Sequence, residues 1–195
     1  MKDAPLVSVI IPTYNSAGFV VEAVRSVLAQ THSPVEIIVV DDGSTDATAE
    51  SLRPYAERIR YLYQQNRGVA AARNAGIAVA RGDLLAFLDA DDMWVPDKLE
   101  RQLACLDRRP QVGVTHADAR HCYVDSGRQC ARPPLARQFD GNCYTDLFFG
   151  NRIVTSSVMV KRHCLEAVGG FDETIRAASV EDYDLWLRLA RRYEF

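Results

Sequence analysis

Leu84-Leu85-Ala86-Phe87-Leu88-Asp89-Ala90-Asp91-Asp92 decides the fold class of this chain. An unbroken apolar run ends abruptly in three carboxylates within four positions. A strand buried on both faces of a parallel sheet reads as a continuous apolar run. Open α/β sheets bind ligands just beyond the carboxyl ends of such strands. Three acids crowded there repel one another unless a cation neutralises them. Hard oxygen donors suit Mg²⁺ or Mn²⁺, and Mg²⁺ is usually held by one or two carboxylates plus substrate phosphates. The stretch therefore asks for a divalent ion that bridges protein to a phosphorylated substrate. The competing reading is a solvated acidic turn, with Asp92 or Asp97 as N-cap of the next helix. Taken alone, the stretch does not choose between them.

On either side of it, strands and helices alternate. Val7 to Ile11 is a β-branched run ended by Pro12, and Ala17 to Gln30 carries apolar residues at helical spacing. Val35 to Val40 is a second apolar strand stopped by Asp41-Asp42-Gly43-Ser44, after which Asp46 can cap a helix to about Arg58. Ile59 to Tyr63 is a third strand, Gly68 to Ala80 an alanine-rich helix, Leu84 to Leu88 the fourth strand. Pro96 to Arg108 forms another helix, with proline in its first turn. This repetition means a parallel sheet with right-handed crossovers.

The pattern loosens after Val112. Val112 to Ala117 reads as a strand, with a continuation through His121 to Asp125. The Arg- and Pro-rich Ser126 to Gly141 reads as a mobile excursion. Val154 to Val160 is a strand, and His163 to Val168 a short helix closed by Gly169-Gly170. Val180 to Tyr193 is an amphipathic helix using Leu185, Trp186, Leu187 and Leu189. The expectation is one α/β domain over 1–195.

Composition narrows the function classes. The chain has 195 residues, 48% hydrophobic and 25% charged, with 23 basic against 26 acidic side chains. That is ordinary for a globular protein and shows no basic excess pointing to nucleic acid. The N-terminus enters a strand almost at once, unlike a secretory signal. No apolar stretch approaches the roughly 20 residues needed to span a bilayer. The five cysteines are odd in number and lack CxxC spacing, which suggests free thiols in a reducing compartment. A zinc site from His121, Cys122, Cys130 and Cys143 matches no common ligand spacing.

Small and polar residues recur at the strand ends. Asp42 can accept hydrogen bonds from a base or ribose, although Asp-Asp-Gly-Ser is also an ordinary turn. Tyr14, in Pro12-Thr13-Tyr14-Asn15, either stacks on a base or packs against the sheet. Gly68 and Ala70 to Ala72 permit close helix approach, and Arg73 offers a planar fork suited to phosphate, unless it simply faces solvent. Glu181 and Asp182 open a helix where negative charge is favoured, so they read either as a cap or as a carboxylate that accepts a proton from an alcohol.

In order along the chain stand Val9-Ile10-Ile11-Pro12-Thr13-Tyr14-Asn15, Val39-Val40-Asp41-Asp42-Gly43-Ser44, Asn66-Arg67-Gly68 with Ala72-Arg73-Asn74, Leu88-Asp89-Ala90-Asp91-Asp92, and Gly169-Gly170-Phe171-Asp172 followed by Glu181-Asp182. This series resembles family 2 glycosyltransferases of the GT-A fold. Each block is weak alone, but five in order are specific. The resemblance implies a mostly parallel, Rossmann-like central sheet flanked by helices, with a smaller mixed portion on the acceptor side. Residues 1–110 would bind the nucleotide-sugar and 111–195 the acceptor.

The activity implied is inverting transfer from a nucleotide-sugar, most often a UDP-sugar, with Mg²⁺ or Mn²⁺. By position in those motifs, Asp42 matches the uracil-contacting aspartate, and Pro12, Thr13 and Tyr14 lie beside the base. Arg73 falls near the ribose and diphosphate. Asp89, Ala90 and Asp91 match the DxD motif, with Asp91 as the direct metal ligand. Asp182 matches the general base, while the Val154 to Met159 strand and Gly169-Gly170-Phe171 shape the acceptor side.

No Gln-x-x-Arg-Trp motif follows Asp182, so the resemblance implies single-sugar addition rather than processive synthesis. The acceptor would be a saccharide or lipid-linked hydroxyl, met in the cytoplasm or by peripheral attachment to the inner membrane surface. Family members usually continue past this chain's last helix, so its acceptor side is expected to be cut short. The alternative is a catalytically silent nucleotide-sugar-binding or interaction domain. A pyrophosphorylase would need a Gly-rich, Arg-containing loop where Pro12 to Ser16 stands. A phosphoacceptor receiver would be shorter and would need a lysine beyond a later strand, which the sequence does not assign.

Overall fold

The computed structural model describes residues 4–123, 128–131, 139–175 and 180–195. Its first half alternates β1 (Val7–Thr13), α1 (Val20–Leu28), β2 (Val35–Asp41), α2 (Thr48–Leu52), β3 (Arg60–Tyr63), α3 (Val69–Val79), β4 (Leu84–Phe87) and α4 (Lys98–Arg108). There follow β5 (Val114–Thr115), β6 (Arg120–Tyr123), β7 (Arg128–Ala131), α5 (Tyr144–Phe148), β8 (Met159–Lys161), α6 (Arg162–Val168) and α7 (Glu181–Ala190). The main sheet has the order β3-β2-β1-β4-β8-β5. Its first four strands are parallel, and β8 runs antiparallel to both β4 and β5.

The continuous apolar runs have their expected cause. Along β1, Val7, Val9 and Ile11 pack against Val20, Val24 and Val27 of α1, with Leu99 of α4 in the same cluster. Ile10 faces the other way, into a cluster with Phe87, Leu165, Leu185 and Trp186. Both faces are covered, so no polar alternation survives. Each fully buried Val, Leu or Ile contributes roughly 1.5–3 kcal/mol of transfer free energy.

Several boundaries differ from the sequence reading. The first strand continues through Pro12, which pairs in register with Val40. Leu88 N donates to Ile10 O at 3.1 Å, after which β4 has left the sheet. Alternate residues of a parallel strand face the same neighbour, so the missing N–H of Pro12 falls on the side where no ladder remains to be broken. The helix after Asp46 stops at Leu52 and tightens into a 3₁₀ turn over Arg53–Tyr55, where Pro54 cannot continue the α-helical hydrogen bonds. Asp46 still acts at its start, accepting from Thr48 N at 2.9 Å.

The second half departs further. The strand expected over Val112 to Ala117 shrinks to Val114–Thr115, and its continuation is the separate strand β6. Part of the stretch read as a mobile excursion is β7, paired antiparallel with β6. Residues 126–127 and 132–138 of that excursion lie outside the described residues, as do the side chains of His121, Cys122 and Cys130 from the zinc reading. Cys143 is buried, which pushes its thiol up to about 11 and keeps it protonated. The strand expected from Val154 becomes a 3₁₀ turn over Thr155–Ser157 before β8. There Ser157 N and Oγ both bond Val154 O, at 2.9 and 2.7 Å, the local competition with ladders that hydroxyl side chains exert. The helix α5 was not read from the sequence.

Helix α3 lies close on the sheet through the expected alanines, Ala70 clustering with Ile10 and Ala72 with Ile38 and Val40, but not through Gly68. A Cβ at Gly68 would meet nothing within 4 Å, whereas one at Gly76 would stand 2.5 Å from Ile10 Cγ2 and 3.3 Å from Val40 Cγ2. Gly76 sets the approach.

Candidate active site

The carboxyl ends of β1, β2 and β4 meet along one edge, and their loops are laced together. Asn15 takes a left-handed conformation with φ of 48°. Its Oδ1 accepts from Thr45 N at 2.8 Å, and its own N donates to Ser44 Oγ at 2.9 Å. Gly43, at φ +84°, turns the chain after β2 where a Cβ would stand 2.8 Å from Asn66 N. Asp42 is buried and accepts from Gln64 Nε2 (2.7 Å), Arg67 N (2.9 Å) and Gly68 N (2.8 Å). Its carboxylate thus holds the loop that leads into α3.

A cleft of about 1950 Å³ opens along this edge, roughly twice the upper size of ordinary small-molecule sites, so it has room for two substrates. Pro12, Arg73, Asp89, Ala90, Asp91 and Glu181 are among its lining residues. Asp91 is exposed and Ala90 is buried. Thr13, Tyr14, Asp42 and Asp182 do not line it. Tyr14 is exposed, while Thr13 is buried and its Oγ1 has no hydrogen-bond partner among the described residues.

Arg73 organises the centre. Its side chain is 4% exposed, with Nη1 2.7 Å from Glu181 Oε1 and Nη2 2.7 Å from Asp89 Oδ1. Its guanidinium also lies 5.2 Å from the Phe171 ring centroid. Burial alone would lower the Arg73 pKa, but Asp89 and Glu181 outweigh it and hold it above its ordinary value. The fork is directed at carboxylates rather than at an open phosphate site, and the reading that left Arg73 in solvent does not hold. The ion pair joins the acidic end of β4 to the first turn of α7. Glu181 is therefore a buried counter-ion, not a free helix-capping acid.

Asp182 sits beside it in a different setting. Thr155 Oγ1 donates to Asp182 Oδ2 at 2.8 Å, and Asn151 Nδ2 to Oδ1 at 3.3 Å. Tyr183 N donates to Oδ1 at 2.6 Å. Burial pushes its carboxyl above the usual range, the Thr155 hydrogen bond opposes that rise, and the Glu181 charge adds to it. A half-buried carboxylate with a raised pKa is suited to take a proton.

The structure adds residues that sequence reasoning missed. The Thr155–Ser157 turn ties three parts of the site together: Ser156 Oγ accepts from Asp89 N (2.9 Å), Ser156 O from Trp94 Nε1 (2.6 Å), and Ser157 O from Gln102 Nε2 (2.9 Å). The run of three hydroxyl residues was the available signal. Asp97 stands at the N-cap of α4 but accepts from Arg101 Nε at 2.7 Å rather than capping. Among the described residues, no three acidic, histidine or cysteine side chains converge as a ready-made metal cage.

A family model described as Glycosyl transferase family 2 matches residues 8–156. The chain belongs to glycosyltransferase family 2. It is 33% identical over 196 residues to an uncharacterized glycosyltransferase of Rickettsia prowazekii, covering 96% of this chain and 59% of that protein. It is 48% identical over 109 residues to the putative teichuronic acid biosynthesis glycosyltransferase TuaG of Bacillus subtilis, covering 54% of this chain and 43% of that one. The chain thus spans little more than half the length of the curated relatives it matches, or less. Among solved structures, S. aureus TarS 1-349 superposes with a TM-score of 0.75 at 22% identity, over 94% of this chain and 55% of that chain. The mannosyltransferase PcManGT from Pyrobaculum calidifontis, in complex with GDP-Man and Mn2+, gives 0.74 at 25% identity, over 99% and 54%. The family 2 chain has the GT-A fold expected from its motifs. No helix among the described residues is long and apolar enough to cross a membrane.

Proposed function

We propose that this chain transfers one sugar from a nucleotide-sugar, a UDP-sugar first among candidates, to an acceptor hydroxyl with inversion in a single displacement. The observation that carries the reading is the Arg73 bridge. It holds the acidic end of β4 and the start of α7 against one cleft, although Arg73 and Glu181 stand 108 positions apart. Residues 1–110 would bind the donor and 111–195 face the acceptor. S. aureus TarS has been solved with UDP-GlcNAc; PcManGT with GDP-Man keeps a second base in play.

In this reading the base lies at the end of β1, where the Thr13 hydroxyl is buried without a partner among the described residues and Tyr14 stands exposed beside it. Asp42 shapes that end of the cleft through the loop it brackets. Asp182 takes the proton of the acceptor hydroxyl, with Thr155 and Asn151 fixing its orientation. Glu181 is held by Arg73.

The donor set fits a divalent ion. Asp91 is exposed and lines the cleft, Asp89 keeps one oxygen clear of Arg73, and Mg²⁺ needs only one or two carboxylates beside substrate phosphates. When bound by Asp91 and Asp89, Mg²⁺ or Mn²⁺ supplies Lewis-acid stabilisation of the departing diphosphate. The acceptor would be a saccharide or a lipid-linked sugar. The exposed pair Phe148 and Phe149, at the end of α5 near Asp182, favours an acceptor with an apolar part. Such an acceptor would place the enzyme in the cytoplasm or peripherally at the inner membrane surface.

The test is release of nucleoside diphosphate from UDP- and GDP-sugars with Mn²⁺ or Mg²⁺. Wild type should release it, and Asp182→Asn should fall by about 10²–10⁴-fold while still binding donor, the usual range for a general base. Donor binding with no release from either protein would favour a silent binding domain.

A further inference from the structure

Lys98 is a buried basic group that the reaction outlined above leaves unused. It opens α4 and lines the cleft, and its Nζ lies 3.7 Å from the centroid of the Trp94 ring. No hydrogen-bond partner for that nitrogen exists among the described residues. One turn further on, Gln102 is half satisfied. Its Nε2 donates to Ser157 O at 2.9 Å, while its Oε1 is buried with no donor among the described residues.

Residues four apart lie on the same face of a helix. Lys98 lines the cleft, and Gln102, which does not, stands one turn behind it on Ser157, a residue of the cleft wall. Trp94, beneath Lys98, donates to Ser156 O, and Ser156 Oγ in turn accepts from Asp89 N. A buried polar atom left unpaired costs about 1–3 kcal/mol. Two of them on one face form a poor structural element and a ready-made binding one.

We propose that Lys98 and Gln102 form a subsite that reads the hydroxyls of the transferred sugar; this rests on the nucleotide-sugar transfer proposed above. A hydroxyl, or a vicinal pair on the sugar ring, is the group that fits both atoms. Its oxygen accepts from Lys98 Nζ and its hydrogen goes to Gln102 Oε1. A carboxylate or phosphate accepts only, so it would satisfy Lys98 and leave Gln102 Oε1 unpaired. An apolar substituent would satisfy neither. Burial holds Lys98 well below its ordinary pKa, in keeping with a neutral partner rather than an anion.

The experiment is titration calorimetry in Mn²⁺ on wild type, Lys98→Met and Gln102→Met. The probes are UDP, GDP, UDP-glucose, UDP-N-acetylglucosamine, UDP-glucuronate and GDP-mannose. Wild type should bind at least one neutral sugar nucleotide more tightly than its parent nucleoside diphosphate. Each substitution should weaken that sugar nucleotide about tenfold more than the parent, the loss expected for one hydrogen bond. Lys98→Met should melt no lower than wild type, because it removes an unpaired buried amine.

Equal losses on sugar nucleotide and parent, or no loss on either, would overturn the subsite and leave the transfer reading intact. So would a lower melting temperature without a sugar-specific loss, which would make Lys98 a packing residue. Preference for UDP-glucuronate alone would overturn the hydroxyl assignment. If wild type bound no nucleotide at all, the transfer reading would fall first and the subsite with it.

Discussion

Arg73 Nη1 and Glu181 Oε1 stand 2.7 Å apart with both side chains almost wholly buried, at 4% and 8% exposure. Neither charge has water to fall back on. Asp89, the third member, is 33% exposed and can be solvated if the pair is broken. The bond therefore matters more to Glu181 and Arg73 than to Asp89. Removing one partner of a buried pair costs about 3–5 kcal/mol, because the other charge is left uncompensated. Arg73→Met, which strands the buried Glu181, should destabilise the chain by about that amount in urea denaturation. The double substitution Arg73→Met with Glu181→Met should recover most of the loss. Equal stability for Arg73→Met and wild type would mean that the bridge does not hold the site together.

Asp91 is the opposite case, an exposed carboxylate on the cleft wall. Its replacement by alanine should change the stability of the free protein by no more than about 0.5 kcal/mol, as for most surface positions. Its effect should appear only with ligand. A nucleotide at 100 times its dissociation constant stabilises by about 2.7 kcal/mol. Thermal unfolding with UDP or GDP, each with and without Mn²⁺, should show a metal-dependent rise in wild type that Asp91→Ala loses. A rise that survived in the variant would remove Asp91 from the metal site.

The contact beneath Gly76 gives a prediction about the scaffold. Alanine at an exposed helix position gains roughly 0.5–1 kcal/mol over glycine. Here its Cβ would come 2.5 Å from Ile10 Cγ2 and 3.3 Å from Val40 Cγ2, two side chains fixed in the sheet. Overpacking of this kind costs about 1–3 kcal/mol, so the steric term wins and Gly76→Ala should unfold at lower urea than wild type. A more stable variant would show that α3 can lift off the sheet without penalty.

These cases mark what could be read from residues alone. The strands β1, β2 and β4 were legible because burial on both faces leaves a signature in one short segment. The Arg73–Glu181 pair was not, since nothing local to either residue says that a partner lies 108 positions away. Glu181 looked like a helix-start acid because that explanation suffices locally, and only the fold shows it buried against a guanidinium. Thr155-Ser156-Ser157 read as part of a strand from its apolar flanks, and its hydroxyls turned it. Lys98 and Gln102 looked like ordinary helix residues, because their missing partners exist only in three dimensions.

Asp182 carries the prediction in which stability and activity run in opposite directions. Burial raises its folded pKa above the ordinary 3.8. An acid with a raised folded pKa binds protons more tightly in the folded state. Its stabilising contribution is present below the unfolded value and is lost as pH rises through the folded pKa. At neutral pH the ionised Asp182 thus weighs against folding, and Asp182→Asn should melt higher than wild type there, with the difference vanishing below the unfolded pKa. Activity needs the ionised form, so the acid limb of kcat/KM should lie above pH 3.8 and report this group. The Thr155 hydroxyl lowers the pKa by donating to the carboxylate. Thr155→Val should therefore shift the acid limb to higher pH while leaving a measurable rate on the alkaline side. An acid limb unmoved by Thr155→Val, or an Asp182→Asn variant that keeps full turnover, would assign the proton to another group.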